Sequence, residues 1–145
     1  DNFEYLKNNT HKFKELNETD FMLIKSNYEN LPIYYNLCDL TLSFVKKTEA
    51  RKASSPTKIG ESLACGVPVL SNKGIGDLDT HLNFNDSSII DVNKNDELKK
   101  ISTLTPKIKN INREEIRSFA KKYYDLDIAI NKYKEIYKAL FSNNL

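Results

Sequence analysis

The sequence predicts an α/β fold, a parallel β-sheet with helices on both faces. Two observations carry this. Short apolar runs alternate with amphipathic or polar segments along the chain, and the runs are apolar at nearly every position. Strands buried on both faces read as continuous apolar runs, and parallel neighbours need a crossover that is usually helical.

The elements follow in order. Phe3, Leu6, Phe13 and Leu16 recur at near-helical spacing and predict a helix over residues 2–16. Phe21-Met22-Leu23-Ile24 reads as a buried strand. Residues 29–37 suit a short helix with Pro32 near its start. Leu40 to Val45 is the second strand, and a polar, basic loop follows from Lys46 to Ser55. A helix runs from Pro56 to Gly66, with Ser55 as N-cap and Pro56 at the first helical position. Val67 to Ser71 is the third strand, Asn72 to Gly76 a loop, and Asp77 the cap of a short helix. Ser88 to Asp91 is the fourth strand, with a helix near 95–104. The tail is helical in two pieces. Asn112 caps the first, Glu115 completes a capping box, and Ile111 and Ile116 fit the staple positions. After a break at Asp125 to Asp127, Ile130, Tyr133, Ile136, Tyr137 and Leu140 form an apolar stripe. Core packing is the expectation for it, contact with a further domain the alternative.

A chain of 145 residues is one domain's worth. With 39% hydrophobic and 29% charged residues its composition is that of a folded globular protein. The net charge of +2 gives nucleic-acid binding no support. Cys38 and Cys65 lie in apolar stretches without ligand spacing, and His11 and His81 stand alone. The expectation is two reduced, buried thiols, no metal and a cytoplasmic setting. No apolar run approaches the ~18 residues of a membrane span, and the N-terminus lacks a signal h-region. The chain opens without Met, directly in a helical pattern, and reads as part of a longer protein.

Ligands of parallel sheets sit at the carboxyl ends of the strands, so the loops 46–55 and 72–76 are the places to search. All four glycines, Gly60, Gly66, Gly74 and Gly76, fall beside these loops. Gly66 is explained as the left-handed stop of its helix. Gly74 and Gly76 suit a turn passing close to a ligand. Gly60, inside a helix, suggests tight packing against the sheet or a ligand. The free N–H groups of Thr57 and Lys58 point out of the helix start, a place that binds anions. Residues 45–60 hold Lys46, Lys47, Arg51, Lys52 and Lys58 against Glu49 alone, a net +4 in a chain of net +2. A solvated basic loop is the plain alternative to a diphosphate site. Glu61 shares a helix face with Thr57 about 6 Å further along, roughly the step from a phosphate to its ribose. A carboxylate there accepts hydrogen bonds from two ribose hydroxyls, unless Glu61 is merely a surface residue.

The stretch Ala53-Ser54-Ser55-Pro56-Thr57-Lys58-Ile59-Gly60-Glu61-Ser62-Leu63-Ala64-Cys65-Gly66-Val67-Pro68-Val69-Leu70-Ser71-Asn72, followed by Gly74-Ile75-Gly76-Asp77, resembles the C-terminal domain of retaining GT-B glycosyltransferases of the group 1 type. Tyr35-Asn36-x-x-Asp39 is similar to that family's helix-to-strand lead-in. The resemblance is specific over about 25 residues. It implies a Rossmann-like domain, here residues 1–145, forming one half of a two-domain GT-B fold. It further implies a hexosyltransferase-like enzyme that binds a nucleoside-diphosphate sugar without metal or cofactor. The acceptor, a glycan or lipid of surface polysaccharide synthesis, would bind the other domain. Cytoplasmic residence, including a peripheral position at the inner membrane face, goes with that role. Donor contacts would come from Ser54, Ser55, Thr57, Lys58 and Glu61, with Ser26 and Asn27 facing the base and Gly74 and Gly76 beside the sugar. Two departures stand out. Many members carry a second glutamate eight residues before Glu61, where this chain has Ala53, and the family domain usually opens with a strand that is missing here. The chain alone is therefore expected to bind nucleotide weakly, to hold no catalytic residue and to transfer no sugar.

Three rivals remain. A GT-B epimerase needs acid and base groups near the motif, and none is evident. A dinucleotide-binding module would use Gly74-x-Gly76-x-x-Asp79, which lacks the third glycine. A non-catalytic binding or scaffold domain is kept open by Ala53.

Overall fold

A computed structural model describes residues 17–82, 89–94 and 101–142, together with Glu4, Asn8, Asn9, Asp96 and Lys99. The chain divides into two compact units, Asp1–Leu31 and Pro32–Leu145.

In the first unit Glu4 and Asn8 are helical, and the rest of the helix expected over 2–16 lies outside the described residues, apart from Asn9. Asn17 opens a short 3₁₀ turn, Glu18–Asp20, through a reciprocal capping box with Asp20. The strand expected at 21–24 does not form. Met22 is 80% exposed, so the apolar run is not buried. A four-residue run has too little periodicity to distinguish a strand from an irregular segment. Asn27 then caps the turn Tyr28–Asn30.

The second unit is α/β. Helix α1 (Leu31–Leu37) leads into it, with Pro32 in the first turn, where its missing N–H breaks no helical bond. Strands β1 (Thr41–Ser43), β2 (Val69–Asn72) and β3 (Ile89–Ile90) form a three-stranded sheet in the order β1-β2-β3. Both pairings are parallel, with Thr41 opposite Val69 and Ser71 opposite Ile89. The strands occupy the predicted places but are shorter. Helices flank the sheet: α2 (Thr57–Ala64), the single turn α3 (Leu78–His81), α4 (Ile101–Lys109), α5 (Arg113–Tyr124) and α6 (Leu126–Ser142). The helix expected near 95–104 is described in part, and α4 runs past its expected end through Pro106.

The core lies between β2, α2 and α5. Ile59 and Leu63 of α2 meet Val69, Ile75, Leu78 and Leu82, and Ile116 and Ala120 of α5 close the cluster. Ser62 joins α2 to the sheet, its hydroxyl 2.8 Å from that of Thr41. Gly60 has a packing reason, with α5 as its neighbour in place of the expected sheet. A Cβ there would meet the Tyr124 ring at 3.1 Å. Gly66 is the left-handed stop of α2, at φ 74°.

Asn112 caps α5, but its side chain accepts from the N–H of Glu114, one residue earlier than in the expected capping box. Ile111 and Ile116 both reach the core, as staple positions should. The break between the tail helices is the single residue Asp125, whose carboxylate accepts the N–H groups of Asp127 and Ile128 and so starts α6. The stripe on α6 does not pack in the core. Tyr133 is 64% exposed and Tyr137 58%. Periodicity says which side of a helix is apolar, not what covers it. The two cysteines are free and only half-buried, where full burial was expected. No helix among the described residues is long and apolar enough to cross a membrane.

Candidate functional site

The carboxyl end of β2 organises the site. Asn72 is buried, and its side chain continues the ladder past the end of β1. It accepts the Val45 N–H at 2.7 Å and donates to the Val45 carbonyl at 3.0 Å. Ser71 adds a bond from its hydroxyl to the Ser43 carbonyl at 2.8 Å. These contacts fix where the basic loop leaves the sheet. Thr48 then caps a 3₁₀ turn, Glu49–Ala53, inside what was expected to be plain loop.

The loop after β2 returns to meet this one. Gly76 has φ 52°, and a Cβ there would lie 2.2 Å from the Ser54 carbonyl oxygen. Only glycine allows that approach. Gly74, at φ 82°, lies under the Lys47 side chain, and its N–H donates to Asp79 Oδ1 at 2.9 Å. The carboxylate of Asp79 is thus engaged in closing this loop. Between the loops lies an open cleft of about 380 Å³, walled by Lys52, Ala53, Ser54 and Ser55 on one side and Gly76 and Asp77 on the other.

Helix α2 starts beside the cleft, one residue later than predicted. Pro56 itself is the N-cap, extended at φ −67° and ψ 113°, and no side chain caps the end. Ser55 is therefore not the cap; it lines the cleft. Proline fixes φ and has no N–H, and the residue before it is held extended. The first turn is left to its carbonyl, which accepts from Ile59 at 3.1 Å. Thr57 and Lys58 are exposed at this bare helix start.

Glu61 stands one turn along, half-buried, and is not among the residues that line the cleft. Its Oε2 accepts a long hydrogen bond, 3.4 Å, from the Tyr35 hydroxyl, which lies equally far from the Lys58 carbonyl. Burial, then the charge and hydrogen bond of Glu61, push the Tyr35 phenol above its usual pKa. Nearby, burial raises the Cys65 thiol, partly offset by Arg117.

The structure thus gathers Ser54, Ser55 and Gly76 around one cleft and sets Thr57, Lys58 and Glu61 on the adjoining helix. Ser26 and Asn27 belong to the first unit and are used locally. The Ser26 hydroxyl donates to the Asn27 carbonyl, and the Asn27 side chain accepts from the Asn30 N–H. Lys52, Asp77, Asn72 and Tyr35 are not among the residues the sequence assigns to the site. Lys52 was legible as part of the basic loop. Asp77 was read as a helix cap, yet its side chain makes no capping bond. Asn72 and Tyr35 fall within the stretches that carry the resemblance, but nothing local marks their contacts with Val45 and Glu61.

The chain matches no known protein family, no curated protein and no solved structure.

Proposed function

We propose that this chain is the donor-binding half of a GT-B-type retaining glycosyltransferase and holds a nucleoside-diphosphate sugar for transfer to a glycan or lipid acceptor. The observation that carries the reading is the cleft at the sheet's carboxyl edge, walled by Lys52, Ser54 and Ser55 and by a glycine loop, with the uncapped start of α2 following directly on Ser55. Unpaired N–H groups and the dipole at the start of a helix favour an anion. The diphosphate would meet the N–H groups of Thr57 and Lys58, the hydroxyls of Ser54 and Ser55, and the ammonium of Lys58, with that of Lys52 exchanging its Glu49 partner for the phosphate. Those groups would also stabilise the charge on the departing diphosphate. One turn along α2, Glu61 would take the pentose hydroxyls, and the Tyr35 hydroxyl would hold its carboxylate in place. The acceptor would bind a second domain.

Ala53 favours a second reading. It lines the cleft where many group 1 enzymes carry a glutamate, so a domain that binds a nucleotide sugar without turning it over is the alternative. Product analysis with a labelled nucleotide sugar and the full-length protein separates the two. For binding itself, a thermal-shift series with nucleoside diphosphates and their sugars is the direct test, because a ligand of the folded state alone raises stability. An upward shift with at least one nucleoside diphosphate is expected. No shift across the series would remove the reading.

A further inference from the structure

The charges around the cleft narrow what can occupy it. One wall carries two serines and Lys52, whose ammonium is paired with Glu49 at 2.8 Å, and the opposite wall carries Asp77 beside Gly76. Asp77 occupies the N-cap position of α3, but its side chain makes no cap bond, so the ordinary role of an Asp there is unfilled. Its Oδ2 lies 3.1 Å from Nδ1 of His81, and its side chain is 54% exposed. His81 itself packs against Tyr123, with ring centroids 5.0 Å apart and the planes tilted by 33°. The Asp77 carboxylate is therefore held from one side. It does not belong to an acidic cluster either. Among the described residues, no three His, Cys, Asp or Glu side chains gather where they could hold a metal ion.

Two serine hydroxyls and an ion-paired lysine facing the Asp77 carboxylate suit a ligand that turns neutral hydrogen-bond donors toward that carboxylate. A carboxylate accepts from two neighbouring hydroxyls, and it opposes a second carboxylate brought against it. Gly76 has no side chain and is pressed onto Ser54, so nothing from that position fills the space beside Asp77. We propose that Asp77 is a specificity-determining residue, admitting a neutral, hydroxyl-bearing sugar at its end of the cleft and disfavouring a sugar with its own carboxylate. This rests on the nucleotide-sugar reading given above.

Calorimetric titration tests it, using UDP, UDP-glucose and UDP-glucuronate, and in parallel GDP, GDP-mannose and GDP-mannuronate. In the base series that binds, the unaltered chain is expected to prefer the neutral sugar over its uronate by about tenfold, the scale of one partly screened charge pair. Asp77→Asn should narrow the preference to about threefold or less without weakening the bare diphosphate, from which it removes a nearby like charge. Asp77→Ser should do the same, since charge and not shape is what discriminates. The proposal is overturned if the unaltered chain binds both sugars equally, or if the preference survives both substitutions. It is overturned too if the substitutions weaken the bare diphosphate as much as its sugars. In each of those cases the nucleotide reading stands. If neither diphosphate nor any of the four sugars binds, the nucleotide reading itself fails, and the assignment of Asp77 with it.

Discussion

Asn72 does with one side chain what a longer β1 would do with backbone. It accepts from and donates to Val45 after the strand pairing has ended. Removing it leaves two backbone groups without those partners, and each unsatisfied polar group out of water costs about 1–3 kcal/mol. Asn72→Ala is therefore expected to lower the free energy of unfolding by about 2–4 kcal/mol in urea titration. Asn72→Asp, which buries a charge and turns a carboxylate oxygen against the Val45 carbonyl, should cost at least as much. A loss below about 0.5 kcal/mol would show that the amide does not fasten the loop. Gly76 is the other residue on which the cleft depends. Gly76→Ala would set a methyl against the Ser54 carbonyl and force a left-handed conformation on a residue with a Cβ. The left-handed geometry alone costs about 1–2 kcal/mol. A drop in Tm together with lost nucleotide binding is expected, and an unaffected Tm would contradict the close approach. The need for glycine near this loop was legible in the sequence, because all four glycines cluster within 17 positions. The partner it presses on was not, since Ser54 is distant in sequence and only the folded sheet brings the two loops together.

The elements differ in how openly the sequence declared them. β2 was legible from the apolar, buried Val69 and Leu70, while Ser71 and Asn72, polar yet also buried, hid where it ends. Helix α2 was clear from Pro56 and Gly66, although proline took the cap position itself. The run 21–24 and the stripe on α6 went the other way. Both are apolar, and both are largely exposed in the described structure. Local pattern records a preference for burial but cannot supply the surface that satisfies it. The contrast between α5 and α6 can be measured. Ile116 is 1% exposed in the core, and Ile116→Ala should cost about 2–5 kcal/mol, as large-to-small core substitutions do. Tyr133→Ser and Tyr137→Ser, on α6, should each cost less than about 0.5–1 kcal/mol in the same chain. Equal losses from both helices would mean that α6 is packed after all.

For the molecule as a whole, the α/β class and the parallel sheet followed from alternation and strand composition, and the search area followed from where ligands sit on such sheets. The cleft does lie between the two loops so identified. Its floor and walls depend on contacts between residues more than twenty positions apart, which no local pattern encodes. The functional reading adds one physical claim to this frame: an anion held at the bare start of α2, with the Glu61 carboxylate one turn along meeting the attached sugar hydroxyls. Titration of a nucleoside diphosphate into the full-length protein and its Glu61→Ala variant tests that claim most directly. The account predicts affinity more than about tenfold weaker in the variant, the loss of one charge-assisted hydrogen-bonding group. Equal affinity in the two proteins would contradict it.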